Sequence, residues 1–349
     1  MLDIAVRDLR FDKHPLIAAH AHAKEWMKWQ SNRGLAPNTL EAYGRGLEGY
    51  LRFLVGKDVE AEGATRLHVA AYIRELLLPK DPAVSSITRD SGTPIANATL
   101  QQRTTVLRLF YDYLVEEGVR DRNPVRQNQM GAGAYGTSLR LIPRYSKLPW
   151  IPSGEEWHAV LRTASQDRLR NRLMLAMSYD CALRREELCS LETGDIDPAH
   201  RLIRIRAEKT KGRRERVVPY SESTGELYLR YLVERRQLSR DRGRLFVSES
   251  RRNRGQPLSI WTWSKVVEEL AQRSGVVHFT THTSRHLCLT DLARSNWDIR
   301  EIAEFAGHRS VQTTILYIHL SGRDLAEKIA RGMAEMHTRR ILLMAEVLR

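Results

Sequence analysis

Between Thr281 and Ser321 the chain places His282, Arg285 and His286 close together, then a Gly307-His308 pair, then Tyr317 among Ile315, Leu316 and Ile318. His282 and Arg285 stand three positions apart, so on a helix both face one ligand. A guanidinium fork matches two phosphate oxygens, and an imidazole beside it can donate to or accept from a third. Residue by residue, each has an ordinary alternative: a solvated helix surface for the His/Arg pair, a turn or cap for His308, a core position for Tyr317.

Metal chemistry is the rival reading. His282 and His286, four apart, could share a zinc ion with His308, but the glutamate of a His-Glu-x-x-His helix is absent. Asp195 and Asp197 could serve a two-metal nuclease, yet they follow Gly194 at a helix end, where turn and capping roles are the default. No Gly-x-x-x-x-Gly-Lys-[Ser/Thr] occurs, so nucleotide-driven chemistry has no phosphate cradle. No cofactor and no metal are expected.

Several elements must carry these groups. Apolar positions at helical spacing predict helices over about 15–33, from Asn38 to Gly56, over about 67–78 and from Asn97 to Gly118. A Pro/Ser/Thr/Gly-rich loop lies between Pro79 and Pro94, and an aperiodic, basic, glycine-bearing linker runs from Arg126 to Trp150. A capping box, Ser153-x-x-Glu156, then opens helices over about 154–165 and 168–181. Leu202 to Ile205 and Arg216 to Pro219 read as a hairpin with a basic tip, Leu245-Phe246-Val247 as a third strand, and the chain from Leu258 as helical to its end. The expected fold is mainly α with a small antiparallel β-sheet: a helical domain over 1–125, the linker over 126–150, a mixed α/β domain over 151–321 and a helical tail over 322–349.

Composition adds a partner. The 349 residues hold 56 Lys+Arg against 42 Asp+Glu, a formal net charge of +14, which makes a polyanion, and nucleic acid first, the expected ligand. Cys181, Cys189 and Cys288 form no Cys-x-x-Cys pair and fit reduced thiols. The early charges Asp3, Arg7, Asp8 and Arg10 leave no signal peptide visible, and no stretch approaches the roughly 18 apolar residues of a membrane span. A soluble, cytoplasmic, nucleoid-associated protein without a membrane partner is expected.

Two upstream segments complete a pattern. Leu183-Arg184-x-x-Glu187-Leu188 and Lys211-Gly212-x-x-Glu215-Arg216-x-x-Pro219 precede His-x-x-Arg-His at 282–286, Gly-His at 307–308 and Thr314-x-x-Tyr317-x-His319, with the tyrosine nine residues after His308. In this order, over residues 149 to 321, they resemble the motifs of the tyrosine recombinase (phage integrase) family. The first four helices are similar to the family's core-binding domain. Ala182, Ser284 and Ala306 stand where the family commonly has glycine, leucine and leucine, all packing positions.

The resemblance implies a site-specific recombinase, independent of metal and ATP, that cuts and rejoins DNA through a 3′-phosphotyrosyl intermediate. Tyr317 would be the nucleophile, Arg184 and Arg285 would clamp the non-bridging oxygens, and Lys211 would protonate the 5′ oxygen. His282 would handle the phenolic proton and His308 would hydrogen-bond the phosphate, with Glu187 and His286 supporting. Lys209 is a second candidate for the acid; the eight residues from Lys211 to Pro219 suit the family pattern better. Arg213, Arg214, Arg251, Arg252 and Arg254 are candidate phosphate contacts. The implied assembly is a two-domain clamp on a duplex recombination site, a tetramer on DNA, with an accessory recombinase or DNA-bending protein as a further partner. Integration, excision or transposition of a mobile element is the expected task; Xer-like resolution of chromosome or plasmid dimers, and a non-catalytic DNA-binding regulator, are the alternatives.

Overall fold

The computed structural model describes residues 11–78, 95–125, 148–209 and 214–320, with positions 336, 338, 340 and 341 farther on. The chain forms two compact units, Met1–Ser146 and Lys147–Arg349. The Pro79–Pro94 loop, nearly all of the 126–150 linker, residues 210–213 with Lys211 and Arg213, and most of the 322–349 tail lie outside the described residues.

In the first unit the helices are α1 (Pro15–Ala19), α2 (Ala21–Asn32), α3 (Pro37–Val55), α4 (Arg66–Leu77) and α5 (Asn97–Glu116). The helix expected over about 15–33 is therefore two. His20 is extended at φ −95°, ψ 114°, and its Nδ1 accepts from Ala23 N at 3.3 Å, so it caps α2 instead of continuing α1. The core joins Trp26 of α2, Leu47, Tyr50 and Leu54 of α3, and Val106, Phe110, Tyr111 and Leu114 of α5. These are the apolar stripes that the spacing marks.

The second unit begins with α6 (Gly154–Ala164), whose capping box is present: Ser153 Oγ accepts from Glu156 N and the Glu156 carboxylate from Ser153 N. It continues with α7 (Leu169–Asp180), α8 (Arg185–Ser190), β1 (Ile196–Asp197), β2 (Leu202–Ile205), β3 (Arg216–Pro219), α9 (Glu222–Leu238) and α10 (Ile260–Ser274). Then follow α11 (Thr283–Arg294), α12 (Ile299–Ala306) and α13 (Val311–Leu320). The sheet is antiparallel in the order β1-β2-β3, with Ile203 opposite Val218 and Ile205 opposite Arg216. The fold is thus mainly α with a small antiparallel sheet.

The third strand is not where the apolar run suggests. Leu245-Phe246-Val247 packs in the core and is flanked only by the isolated bridges Glu192↔Arg244 and Val247↔Pro257. Side chains take the carbonyls that a neighbouring strand would need: Arg235 donates to Arg244 O and Leu245 O, and Tyr231 Oη to Leu245 O. The third strand is instead the two-residue β1, too short to show alternation. Asp195 and Asp197, which flank and end it, serve in turns: Asp195 accepts from Glu192 N and pairs with Arg206, and Asp197 accepts from Ala199 N and His200 N.

Two apolar clusters support this unit. The larger runs from Val160 through Leu173, Leu188, Ile203, Val218, Tyr231 and Phe246 to Trp263 and Leu270. The smaller, Ala182, Cys288, Leu289, Ile302, Ala306 and Tyr317, underlies the C-terminal helices. Among the described residues no helix is long and apolar enough to cross a membrane. Arg235 is buried on carbonyls alone, so Arg235→Met should lower unfolding stability by about 2–3 kcal/mol in denaturant titration by stranding those oxygens; an unchanged midpoint would show that water replaces the guanidinium.

Candidate active site

Helix α12 ends in carbonyls that its own turns cannot satisfy. Three arginines from three other elements take them in succession. Arg216 Nε of β3 donates to Phe305 O at 2.9 Å, Arg285 Nη2 of α11 to Ala306 O at 2.7 Å, and Arg184 Nη2, at the start of α8, to Gly307 O at 3.2 Å. The negative end of the helix and the three cations suit each other electrostatically. Gly307 closes α12 in the left-handed region at φ +63°, and a Cβ there would stand 2.9 Å from Arg216 Nη1. The chain can turn there and let the guanidinium approach only because the residue is glycine.

One carboxylate lies beneath these cations. Glu187 is 1% exposed and accepts from Arg184 Nη1 at 2.7 Å, from Arg216 Nη2 at 2.8 Å and from Arg184 N at 3.0 Å. Burial alone would push its carboxyl up; the hydrogen-bonded Arg216 and the adjacent Arg184 overcome that and hold it at about 2. Arg285 is 4% exposed and also donates to Ala182 O. Burial, then the Arg184 charge, brings its guanidinium down to about 10, still charged at neutral pH.

The packing positions that depart from the family pattern lie under this cluster. Ala182 has φ +44°, a conformation glycine adopts more freely, and its carbonyl anchors Arg285. Ser284 hydrogen-bonds Ser178 of α7, and Ala306 is fully buried.

The histidines divide by position. His308 is buried and both its ring nitrogens are engaged: Nε2 with Arg285 Nη2 at 3.0 Å and Nδ1 with Thr314 Oγ1 at 2.9 Å. Because arginine only donates, Nε2 is the acceptor and Nδ1 carries the proton to Thr314. Burial, then Arg285, Arg184 and Arg216, lowers its imidazole to about 3, so it is neutral. In this arrangement His308 orients Arg285, and it cannot share a zinc ion with the others.

His282 lies exposed at the N-cap of α11 rather than within the helix, and burial against its neighbours still lowers its imidazole. His286, one turn on, is half-buried with Nδ1 2.9 Å from Tyr317 Oη. Burial, then His282 and Arg285, holds His286 down at about 4. Tyr317 is 4% exposed and stacks on His308 with ring centroids 6.0 Å apart at 9°. Burial raises its phenol, against the pull of Arg285 and then Arg184.

The fold therefore gathers Arg184, Glu187, Arg285, His286, His308 and Tyr317, with His282 at the margin. Arg216 belongs to the same cluster and was not among the sequence candidates. Its signal is alternation: Val218 faces the core opposite Ile203, so Arg216, two residues before it, shares that face. Arg214, Arg251, Arg252 and Arg254 are exposed, the last three on a turn between the core segment at 245–247 and α10. Lys211, Arg213 and the Lys209 side chain lie outside the described residues.

Residues 153–323 match the Phage integrase family, and residues 25–118 match the Phage integrase, N-terminal SAM-like domain. The chain is 33% identical over 238 residues to "Tyrosine recombinase XerC" of Corynebacterium glutamicum, covering 66% of this chain and 71% of that one. It is 29% identical over 305 residues to "Tyrosine recombinase XerC" of Thermodesulfovibrio yellowstonii, covering 84% and 90%. Its fold is similar to that of the XerH site-specific recombinase bound to palindromic difH substrate in a post-cleavage complex, with TM-score 0.64, 19% identity and coverage of 86% and 82%. It is similar also to that of the Tn1549 transposon integrase in complex with transposon right end DNA, with TM-score 0.62, 15% identity and coverage of 87% and 98%.

Two outcomes follow from the electrostatics. His286 and His308 have folded values near 4 and 3, below the unfolded value of about 6.5, so the unfolded chain binds more protons between them. Stability present above pH ~6.5 is lost as pH falls towards those values, and Glu187 adds to the loss between its unfolded ~4.3 and its folded value near 2. The melting temperature should fall between pH 7 and pH 5, and the fall should shrink in the double variant His286→Gln, His308→Gln; an equal fall in both proteins would count against neutral burial. Gly307→Ala should destabilise by about 1–2 kcal/mol, measured by chemical denaturation, from the left-handed backbone alone.

Proposed function

Because the chain belongs to the phage integrase family of tyrosine recombinases, we propose that it cuts and rejoins DNA strands at a specific duplex site through a covalent 3′-phosphotyrosyl link at Tyr317. The observation that carries this is the phenol lying beside Arg285 and Arg184, with Glu187 buried beneath and paired with Arg184 and Arg216. A phosphodiester placed there supplies the missing negative charge, and its charge grows at the non-bridging oxygens as phosphorus becomes five-coordinate. Arg184 and Arg285 bind those oxygens. Arg216 holds Glu187 and α12 in place, and His308 fixes the direction of Arg285.

The step balances without metal or nucleotide. Tyr317 Oη gives up its proton to a histidine beside it and forms the bond to phosphorus, the bond from phosphorus to the 5′ oxygen breaks, and Lys211 gives that oxygen its proton. The phosphotyrosyl ester retains the energy of the broken diester, so a 5′ hydroxyl from another strand reverses the attack and reseals. Exchange joins two duplexes, each cut in both strands, which calls for four copies on DNA.

The biological task has two readings. Integration, excision or transposition of a mobile element is the one raised from sequence, and a transposon integrase shares the fold. Sequence relatives named as tyrosine recombinases XerC and XerD weigh towards Xer-like dimer resolution. Mapping the genomic junctions that the active protein makes distinguishes them: two copies of one chromosomal or plasmid site support resolution, whereas an element's ends joined to new flanks support mobility.

On a nicked suicide duplex carrying such a junction, wild type should form a covalent adduct and Tyr317→Phe none; an adduct persisting in the phenylalanine variant would refute the nucleophile. Adduct formation should survive excess chelator, and complete loss would restore metal chemistry. DNA affinity should fall steeply with salt, since each phosphate neutralised by Lys or Arg releases about one counterion; a flat salt titration would speak against phosphate contacts.

A further inference from the structure

Resting on the reading of Tyr317 as nucleophile, we propose that His286, rather than His282, takes the phenolic proton through Nδ1 as Tyr317 attacks phosphorus. His286 Nδ1 stands 2.9 Å from Tyr317 Oη, with the two rings 5.7 Å apart at 33°. That is hydrogen-bond reach for a base and the proton it removes.

The other groups around the phenol do not serve. His308 stacks on Tyr317, but its one acceptor nitrogen takes a hydrogen bond from Arg285 and its other nitrogen faces Thr314. Arg285 of α11 and Arg184 beside α8 are donors only. Cys288, one turn along α11 from Arg285, is a buried thiol pushed up to about 12 by burial, then by Asp291 and Asp180. His282 lies exposed at the N-cap, its ring 6.3 Å from that of His286, and the charges around it are Glu186, Arg185, Arg285 and Arg184.

The environment keeps His286 neutral in the free protein, and the negative charge of a bound phosphodiester raises its basicity where the phenol attacks. Held near 4 by burial and by the His282 and Arg285 beside it, the imidazole is neutral at physiological pH, and in the tautomer with hydrogen on Nε2 its Nδ1 accepts from the phenol. As the Tyr317 Oη–phosphorus bond forms, the phenolic hydrogen passes to Nδ1 and His286 becomes an imidazolium with hydrogen on both nitrogens. Lys211 loses its proton to the 5′ oxygen in the same turnover, so one positive charge moves from Lys211 to His286. On resealing, His286 returns its proton to the departing phenolate and the 5′ hydroxyl gives one to Lys211.

The decisive experiment measures covalent adduct formation by full-length protein on a nicked suicide duplex carrying the mapped junction, with either an ordinary or a bridging 5′-phosphorothiolate at the scissile position. His286→Gln should slow adduct formation by about 10²- to 10⁴-fold at pH 7, the range for a lost general base. The sulfur leaving group needs no acid, so it should rescue Lys211→Ala and leave the His286→Gln defect in place. Trifluorotyrosine at position 317, a more acidic phenol, should restore much of the rate in His286→Gln. Rates within about threefold of wild type in His286→Gln, or the same loss and the same trifluorotyrosine rescue in His282→Gln, would overturn the assignment. Nitrogen NMR of the wild-type protein decides it independently of any variant's folding: Nδ1 of His286 should be unprotonated at pH 7, and a proton on Nδ1 would overturn the proposal. No adduct from wild type, or an adduct from Tyr317→Phe, would remove the nucleophile itself, a failure distinct from those of His286.

Discussion

The carbonyls at the end of α12 set the geometry of everything around them. A helix C-terminus leaves acceptors without partners, and in a buried location each must find a donor. Here Phe305, Ala306 and Gly307 receive Arg216, Arg285 and Arg184 in turn. A strand, a long helix and the start of a short helix are thereby brought to one point. Three guanidiniums so close would repel one another, and the buried Glu187 carboxylate, bonded to two of them, reduces that repulsion. Removing it would leave buried cations without compensation, the situation that makes breaking such a pair far costlier than its net worth.

Charge and neutrality are separated inside this small volume. The arginines stay charged because they have carbonyl and carboxylate partners. The histidines beside them are held neutral because burial and the same cations disfavour a further positive charge. One imidazole is used up in aiming a guanidinium, and the other meets the phenol through Nδ1. The same residue type thus acquires two uses from which neighbour reaches its nitrogens first.

Much of this was legible in the sequence, for reasons that also explain the gaps. Arg184, Glu187, Arg285, His308 and Tyr317 were legible through the resemblance of their ordered motifs to those of the family; spacing alone left each with an ordinary alternative. The capping box at Ser153 was readable because local spacing survives folding. Arg216 was hidden because an arginine beside two valines suggests a solvent-facing position, whereas the sheet register turns it inward with Val218. His286 was underrated because neighbours four apart on a helix look equivalent; only the packing of α13 against α11 distinguishes the one that meets the phenol. The apolar run at 245–247 looked like a strand, yet Arg235 and Tyr231 had claimed its carbonyls, a long-range competition that no local pattern records.

The triple anchoring of α12 also bears on how such a chain can change in length over generations. Each residue inserted between Ile299 and Ala306 would rotate the helix end by about 100° and advance it by about 1.5 Å. A single inserted codon there would misalign three acceptors at once, and no one compensating substitution could recover them. An insertion in the turn between α11 and α12 would leave these three bonds in register, so α12 acts as a fixed ruler whose length the site depends on.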